Sequence, residues 1–264
     1  MSTPMLLLAA GAAAAYLFAA WHAARGLEGP RNLLALAAAL LLHSLVLIAS
    51  VQAMGGRLGL TQALSLLTWQ SALLLALLTQ ATALRPLRTA IYPLAAGGVL
   101  LAAVWPTQSG GNAPHDWRIV LHAALSIFAA GLLTLAAAQA VALHVLDRLL
   151  HRPEQLARAL KMPPMQAGED WLFQLIGAGF FVLSLALLSG LIFVDDLFAQ
   201  HLAHKTVLSI VAWLTFAALL LGRRSRGWRG KQAVRWALSG YAALLLAYFG
   251  SKLVLEQILG RHWT

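Results

Sequence analysis

The sequence predicts an all-α, polytopic integral membrane protein, a bundle of about eight transmembrane helices, and three observations carry that prediction. The chain of 264 residues is 60% hydrophobic and only 11% charged, with a mean hydropathy of +0.75. A soluble domain carries roughly 25% charged residues, so most of this surface must face lipid. The apolar residues fall in runs close to the roughly 20 that a helix needs to cross hydrocarbon at about 1.5 Å per residue. The runs are also continuous and not alternating. Backbone exposed to lipid must bond to itself, and without a barrel's alternation only helices satisfy it.

The expected spans lie near residues 4–22, 32–52, 61–84, 88–105, 118–147, 171–194, 205–221 and 234–259. No Lys or Arg precedes the first run, which favours a retained helix over a cleaved leader. Small residues recur inside the spans, as at Ala12–Ala15 and Ala136–Ala138, and allow close helix approach where lipid supplies no hydrophobic drive. The loops after the first, third, fifth and seventh spans hold Arg25 and Arg31; Arg85 and Arg88; Arg148, Arg152, Arg158 and Lys161; and Arg223, Arg224, Arg226, Arg229 and Lys231. That bias places these loops in the cytoplasm and both termini outside. The longest inner loop, 151–170, carries Pro153, Pro163 and Pro164 and reads as a short surface helix ended by a proline break. The outer loop Pro106–Pro114 is rich in Gly, Ser, Asn and Pro, a turn-forming composition. The chain reads as one transmembrane domain, 1–264, made of a four-helix N-terminal part (1–116) and a second part (117–264).

The net charge of +10 sits in short loops between spans, which argues for membrane orientation and against nucleic acid as a partner. There is no cysteine, so disulfides, thiolate metal sites and covalent haem attachment are excluded. Phosphate-binding loops, G-x-S-x-G elbows, H-E-x-x-H helices and EF-hands are absent too. Most of the nine tryptophans mark span ends, as an interfacial aromatic belt does.

Polar groups at membrane depth are costly, so each calls for a reason. His43, His122, His201, His204, Lys252 and Glu256 all fall on the outer side of the expected topology, whereas His22, His144 and His151 fall on the inner side as ordinary interfacial histidines. His43 and His122 can glue neighbouring helices by one hydrogen bond each, or act as axial ligands to haem iron from two helices. His201 and His204, at i and i+3, share a helix face and could line one pocket or hold one metal; equally they are interfacial histidines in a solvated loop. Asp195 and Asp196 offer a cation too few ligands. Tyr241, Tyr248, Lys252 and Glu256 lie on one stripe of the last span; Lys252 can pair with Glu256 or meet an acidic ligand group such as a propionate.

Several stretches resemble one family in its own order. They are W-L-F-Q-L-I-G-A-G-F at Trp171–Phe180, L-L-S-G at Leu187–Gly190, H-K-T-V-L-S-I-V-A-W at His204–Trp213, G-W-R-G-K-Q-A at Gly227–Ala233 and A-Y-F-G-S-K-L-V-L-E at Ala247–Glu256. On these residues the chain resembles the cytochrome c assembly (CcsA/CcmC-type) membrane proteins, in particular the YpjD-like inner-membrane branch. The family presents haem on a Trp-rich external segment; here F-V-D-D-L-F-A-Q-H-L-A-H-K stands in its place, with Lys205 matching the family's lysine and His204 replacing its proline. His122 looks like the family's histidine at the outer start of the corresponding helix.

The resemblance implies a bacterial inner-membrane protein that handles haem in the outer half of the bilayer and does not alter it chemically, hence not an enzyme. His43 and His122 would bind the iron, and His204, Lys205 and Lys252 would meet the acidic groups of the haem. Other cytochrome-maturation proteins are the partners expected besides the bilayer. A transporter, or an accessory subunit of a transport system, is the alternative on the same scaffold, with Asp195, Asp196 and Glu256 shaping an outer vestibule. A third reading is a structural partner that docks other membrane proteins.

Overall fold

The computed structural model describes residues 3–27, 29–54, 58–78, 81–105, 116–152, 154, 162–193 and 203–250. Its elements are α1 (Thr3–Ala24), α2 (Pro30–Ala53), α3 (Leu60–Leu77), a 3₁₀ turn (Thr82–Leu87), α4 (Arg88–Val104), α5 (Trp117–Leu150), α6 (Met165–Phe193), α7 (Ala203–Arg226) and α8 (Gly230–Leu245), which runs into a π turn at Leu246–Gly250. Among the described residues there is no strand, and seven helical segments are long and apolar enough to cross a membrane. The protein is therefore an all-α, multi-pass membrane protein. Its exposed surface agrees: Leu34 of α2 and Ile192 of α6 are 70% and 72% exposed, at home in lipid and costly in water.

Local chemistry sets the helix ends. Gly29 and Pro30 open α2, where proline's missing N–H costs nothing. Asp116 caps α5, its carboxylate accepting from Arg118 N at 2.9 Å. Gly26 and Gly227, at φ 68° and 67°, end α1 and α7 in the left-handed conformation that glycine adopts without strain. The third span is shorter than the apolar run suggests. Its α-helix stops at Leu77, and a separate 3₁₀ turn with Pro86 inside it carries Ala83 and Leu84; proline donates no hydrogen bond and disfavours α-helical backbone at the residue before it. Conversely, α6 starts at Met165, six residues before the expected 171, immediately after Pro163–Pro164. The last span begins at Gly230, before the expected 234, and its residues beyond 250 lie outside the described set.

Contacts group the helices into two compact units, α1–α4 and α5–α8. In the first, alanines make the packing surface: Ala9, Ala12, Ala19, Ala95 and Ala102 are fully buried. Helices α3 and α4 approach so closely that a Cβ on Gly98 would collide with Thr68 Oγ1. The second unit is organised by an equally close seam between antiparallel α5 and α6. Gly168, Gly179 and Gly190 of α6 recur every eleven residues, three helical turns, and so share a face. A Cβ on Gly168 would lie 2.8 Å from Leu143 Cδ2, one on Gly179 2.8 Å from Leu133 Cδ2, and one on Gly190 3.0 Å from His122 Cε1.

One end of the second unit gathers charge. Lys231 Nζ lies 3.4 Å from Asp147, Arg223 lies 3.5 Å from Asp170, and buried Glu169 accepts from Gly230 N at 2.8 Å, closing the start of α8. The ends of α5 and α7 and the starts of α6 and α8 meet there. The opposite end of the same unit carries His122.

Candidate functional site

His122 sits five residues into α5, about 7.5 Å along the helix from its first residue. Its Nδ1 lies 3.0 Å from the Ala186 carbonyl oxygen and 3.0 Å from Ser189 Oγ, both on α6. A carbonyl can only accept, so Nδ1 carries the proton and donates it. Ser189 spends its own hydrogen on Ala186 O at 2.8 Å, which leaves its oxygen as an acceptor for the same Nδ1–H. Gly190 provides the room: a Cβ there would lie 3.0 Å from His122 Cε1. This fixes the tautomer and leaves the Nε2 lone pair of a half-buried imidazole without a hydrogen bond from any described residue.

Below His122 the α5 face continues with Ser126 and Thr134, at steps of four and eight residues, and α8 answers with tyrosines. Tyr248 stands beside Ser126, and the Tyr241 hydroxyl lies 2.8 Å from Thr134 Oγ1. Thr134 donates to Ala130 O, so Tyr241 is the donor of that pair. The tyrosine stripe expected from the sequence thus faces the helix that bears His122. The π turn at Leu246–Gly250 falls at Tyr248; such turns are frequent where function demands a locally altered helix. Helix α7 starts at the same end of this unit, with His204 and Lys205 in its first turn and Lys205 partly buried. The His204 side chain, His201, Asp195, Asp196, Lys252 and Glu256 lie outside the described residues.

His43 has a different environment, within the first unit. It is 0% exposed on α2; Ser65 Oγ of α3 lies 2.8 Å from Nε2 and Tyr16 OH of α1 lies 3.3 Å from Nδ1. Tyr16 is also 0% exposed and packs beside Tyr92 of α4, with ring centroids 6.3 Å apart. Both imidazole nitrogens are therefore engaged by hydroxyls, and the ring brackets three helices. Ser65, Tyr16, Ser189 and Gly190 were not singled out from the sequence as site residues, although L-L-S-G was one of the stretches carrying the resemblance.

Comparison with known proteins now bears on this arrangement. The family model described as cytochrome C assembly protein matches residues 4–259. The chain belongs to the cytochrome c assembly protein family. Within it, the chain is 34% identical to the inner membrane protein YpjD of Escherichia coli K12 over 168 residues, 64% of this chain and 64% of that protein. An uncharacterised 28.8 kDa protein of Azospirillum brasilense is 36% identical over 154 residues, 57% of this chain and 56% of the relative. The cytochrome c biogenesis protein CcsA of Trichormus variabilis is 27% identical over 93 residues, 34% of this chain and 26% of its own length. The chain thus spans less than two thirds of each of these relatives. No solved structure matches.

Family membership raises the question of which residues could hold haem. No group of three His, Asp or Glu side chains able to hold a bare metal ion occurs among the described residues, whereas porphyrin-bound iron needs only one or two axial donors. His122 fits that role: the Ala186 carbonyl and Ser189 Oγ orient its Nδ1–H, and Nε2 has no hydrogen bond from any described residue. His43 does not fit. Ligation would break one of its two hydroxyl contacts and bring a macrocycle into a site with no exposed surface. The expected pair of axial histidines is therefore not supported on the His43 side.

Proposed function

We propose that this protein is a multi-pass, non-enzymatic haem-handling factor of the bacterial inner membrane, serving cytochrome c assembly, with the ligand held at the His122 end of the second unit. The observation that carries the reading is the state of His122: Nδ1 is held by α6, and Nε2 has no hydrogen bond from any described residue. Family membership and the names of the relatives, an inner membrane protein and a cytochrome c biogenesis protein, supply the context. In this reading His122 Nε2 would hold the iron of a bound haem. The residues at the start of α7, His204 and Lys205, together with Lys252 four positions beyond Tyr248 in the sequence, meet the propionates. The group would supply redox-active iron when bound; the protein's part is to orient it, keep it in apolar surroundings and pass it on unchanged. The bias of the basic loops supports an orientation with the charged end of this unit in the cytoplasm and the His122 end and both termini in the periplasm.

The test is purification in mild detergent followed by an absorption spectrum, before and after haem supply. A Soret band that shifts or disappears in His122→Ala is expected. No Soret band after haem supply removes the cofactor, and a band unchanged in His122→Ala removes this site.

A further inference from the structure

The first unit holds a set of exchangeable protons that haem handling leaves unused. Its interior carries polar side chains in almost every turn of α3: Thr61, Gln62, Ser65, Gln70 and Ser71 are all buried. At one end, Thr61 Oγ1 lies 3.1 Å from Gln62 Oε1 and 2.8 Å from the carbonyl of Trp105, a residue 62% exposed at the end of α4. One turn in from Gln62 is Ser65, then His43, then Tyr16. Tyr92 follows at a ring distance of 6.3 Å, and one turn further stands Arg88, the first residue of α4. Glue between helices needs one hydrogen bond per imidazole; here each nitrogen has a hydroxyl, from a different helix, in the middle of the span.

We propose that the first unit passes protons through the hydrocarbon layer along a relay centred on His43, with Ser65 and Tyr16 as its partners on either side. Imidazole is suited to this because a proton can join one nitrogen as another leaves the second. A proton reaching Ser65 Oγ displaces the hydroxyl's own proton onto Nε2. Nδ1–H passes to Tyr16 O, and the Tyr16 hydroxyl proton leaves towards Tyr92. One proton enters, one departs, and no charge remains on the ring. The surroundings favour this concerted course: among the described residues of α1–α4 there is no Asp or Glu to stabilise an imidazolium. The return step, in which imidazole and hydroxyls reorient, limits the rate, as does the 3.3 Å contact to Tyr16, long for an O–H···N bond. The flux is accordingly slow, and independent of whether haem is bound in the second unit.

The experiment uses the purified full chain, free of haem, in lipid vesicles containing a pH-sensitive dye, with an inside-negative potassium diffusion potential. The expected result is acidification faster than in protein-free vesicles, falling at least tenfold towards the protein-free rate in His43→Phe and in Ser65→Ala, and retained in Ser65→Thr. A purely structural bracket would leave the flux unmoved in every variant that elutes as a single species. Should His43→Phe fail to fold, Ser65→Ala decides. Wild-type flux no greater than that of empty vesicles, or flux unchanged in Ser65→Ala, overturns the relay; neither result bears on the absorption spectrum that tests haem binding.

Discussion

Adding one methyl group at Gly190 tests the reading of His122 most directly. The new Cβ would lie 3.0 Å from His122 Cε1 and 3.4 Å from Nδ1. Carbon atoms prefer to sit about 3.5–4.0 Å apart, so the ring must give by a few tenths of an ångström. Its two Nδ1 contacts, each 3.0 Å now, then stretch towards the edge of hydrogen-bonding distance. Losing two such bonds outright is worth about 1–2 kcal/mol, hence at most about a tenfold loss of haem affinity if the held tautomer matters for binding. Two measurements check this. Nitrogen-15 spectra of the haem-free protein should show His122 as the Nδ1–H tautomer in the wild type and as a mixture in Gly190→Ala. Haem titration should show the loss of affinity. A wild-type His122 that is not the Nδ1–H form, or a Gly190→Ala variant with both tautomer and affinity unchanged, would refute the argument. Ser189→Ala should reproduce a milder version, since the Ala186 carbonyl survives.

Three further outcomes follow from the packing. Glu169→Gln, at a buried carboxylate that accepts from Gly230 N, should lower stability by about 1–2 kcal/mol, seen as a lower melting temperature in detergent; no change would mean that α8 starts without this contact. Tyr241→Phe removes one bond to Thr134 and should cost only about 0.6 kcal/mol, the average for hydrogen bonds between membrane helices, so a large loss of stability would point to a role beyond packing. Lys231→Ala breaks an ion pair whose lysine side chain is 69% exposed and should change stability by less than about 0.5 kcal/mol; a larger change, or one that salt does not diminish, would show a pair better shielded than its exposure indicates.

The spans were legible because hydropathy is a property of each residue and needs no partner. The all-α class and the first, second, fifth and seventh helices followed from run length alone. Where a run ends inside apolar sequence, composition misleads. Ala81, Ala83 and Leu84 look like more of α3, yet they sit in or beside a 3₁₀ turn with Pro86 inside it. Pairings across helices were illegible for a different reason. Tyr16, His43 and Ser65 are separated by 27 and 22 residues, and no periodicity within one helix says which faces meet. His122 was marked as a candidate, but its holder Ser189 is 67 residues away. One signal was available and unused: the glycines at 168, 179 and 190 announce a face of α6 that something must approach closely.

That spacing also says what the chain can tolerate. An extra residue between Gly179 and Gly190 would turn everything beyond it by about 100° around the axis of α6. Ser189 and Gly190 would swing out toward the acyl chains while Gly179 kept its grip on Leu133. Point changes along this stretch should therefore be forgiven far more readily than any change of length.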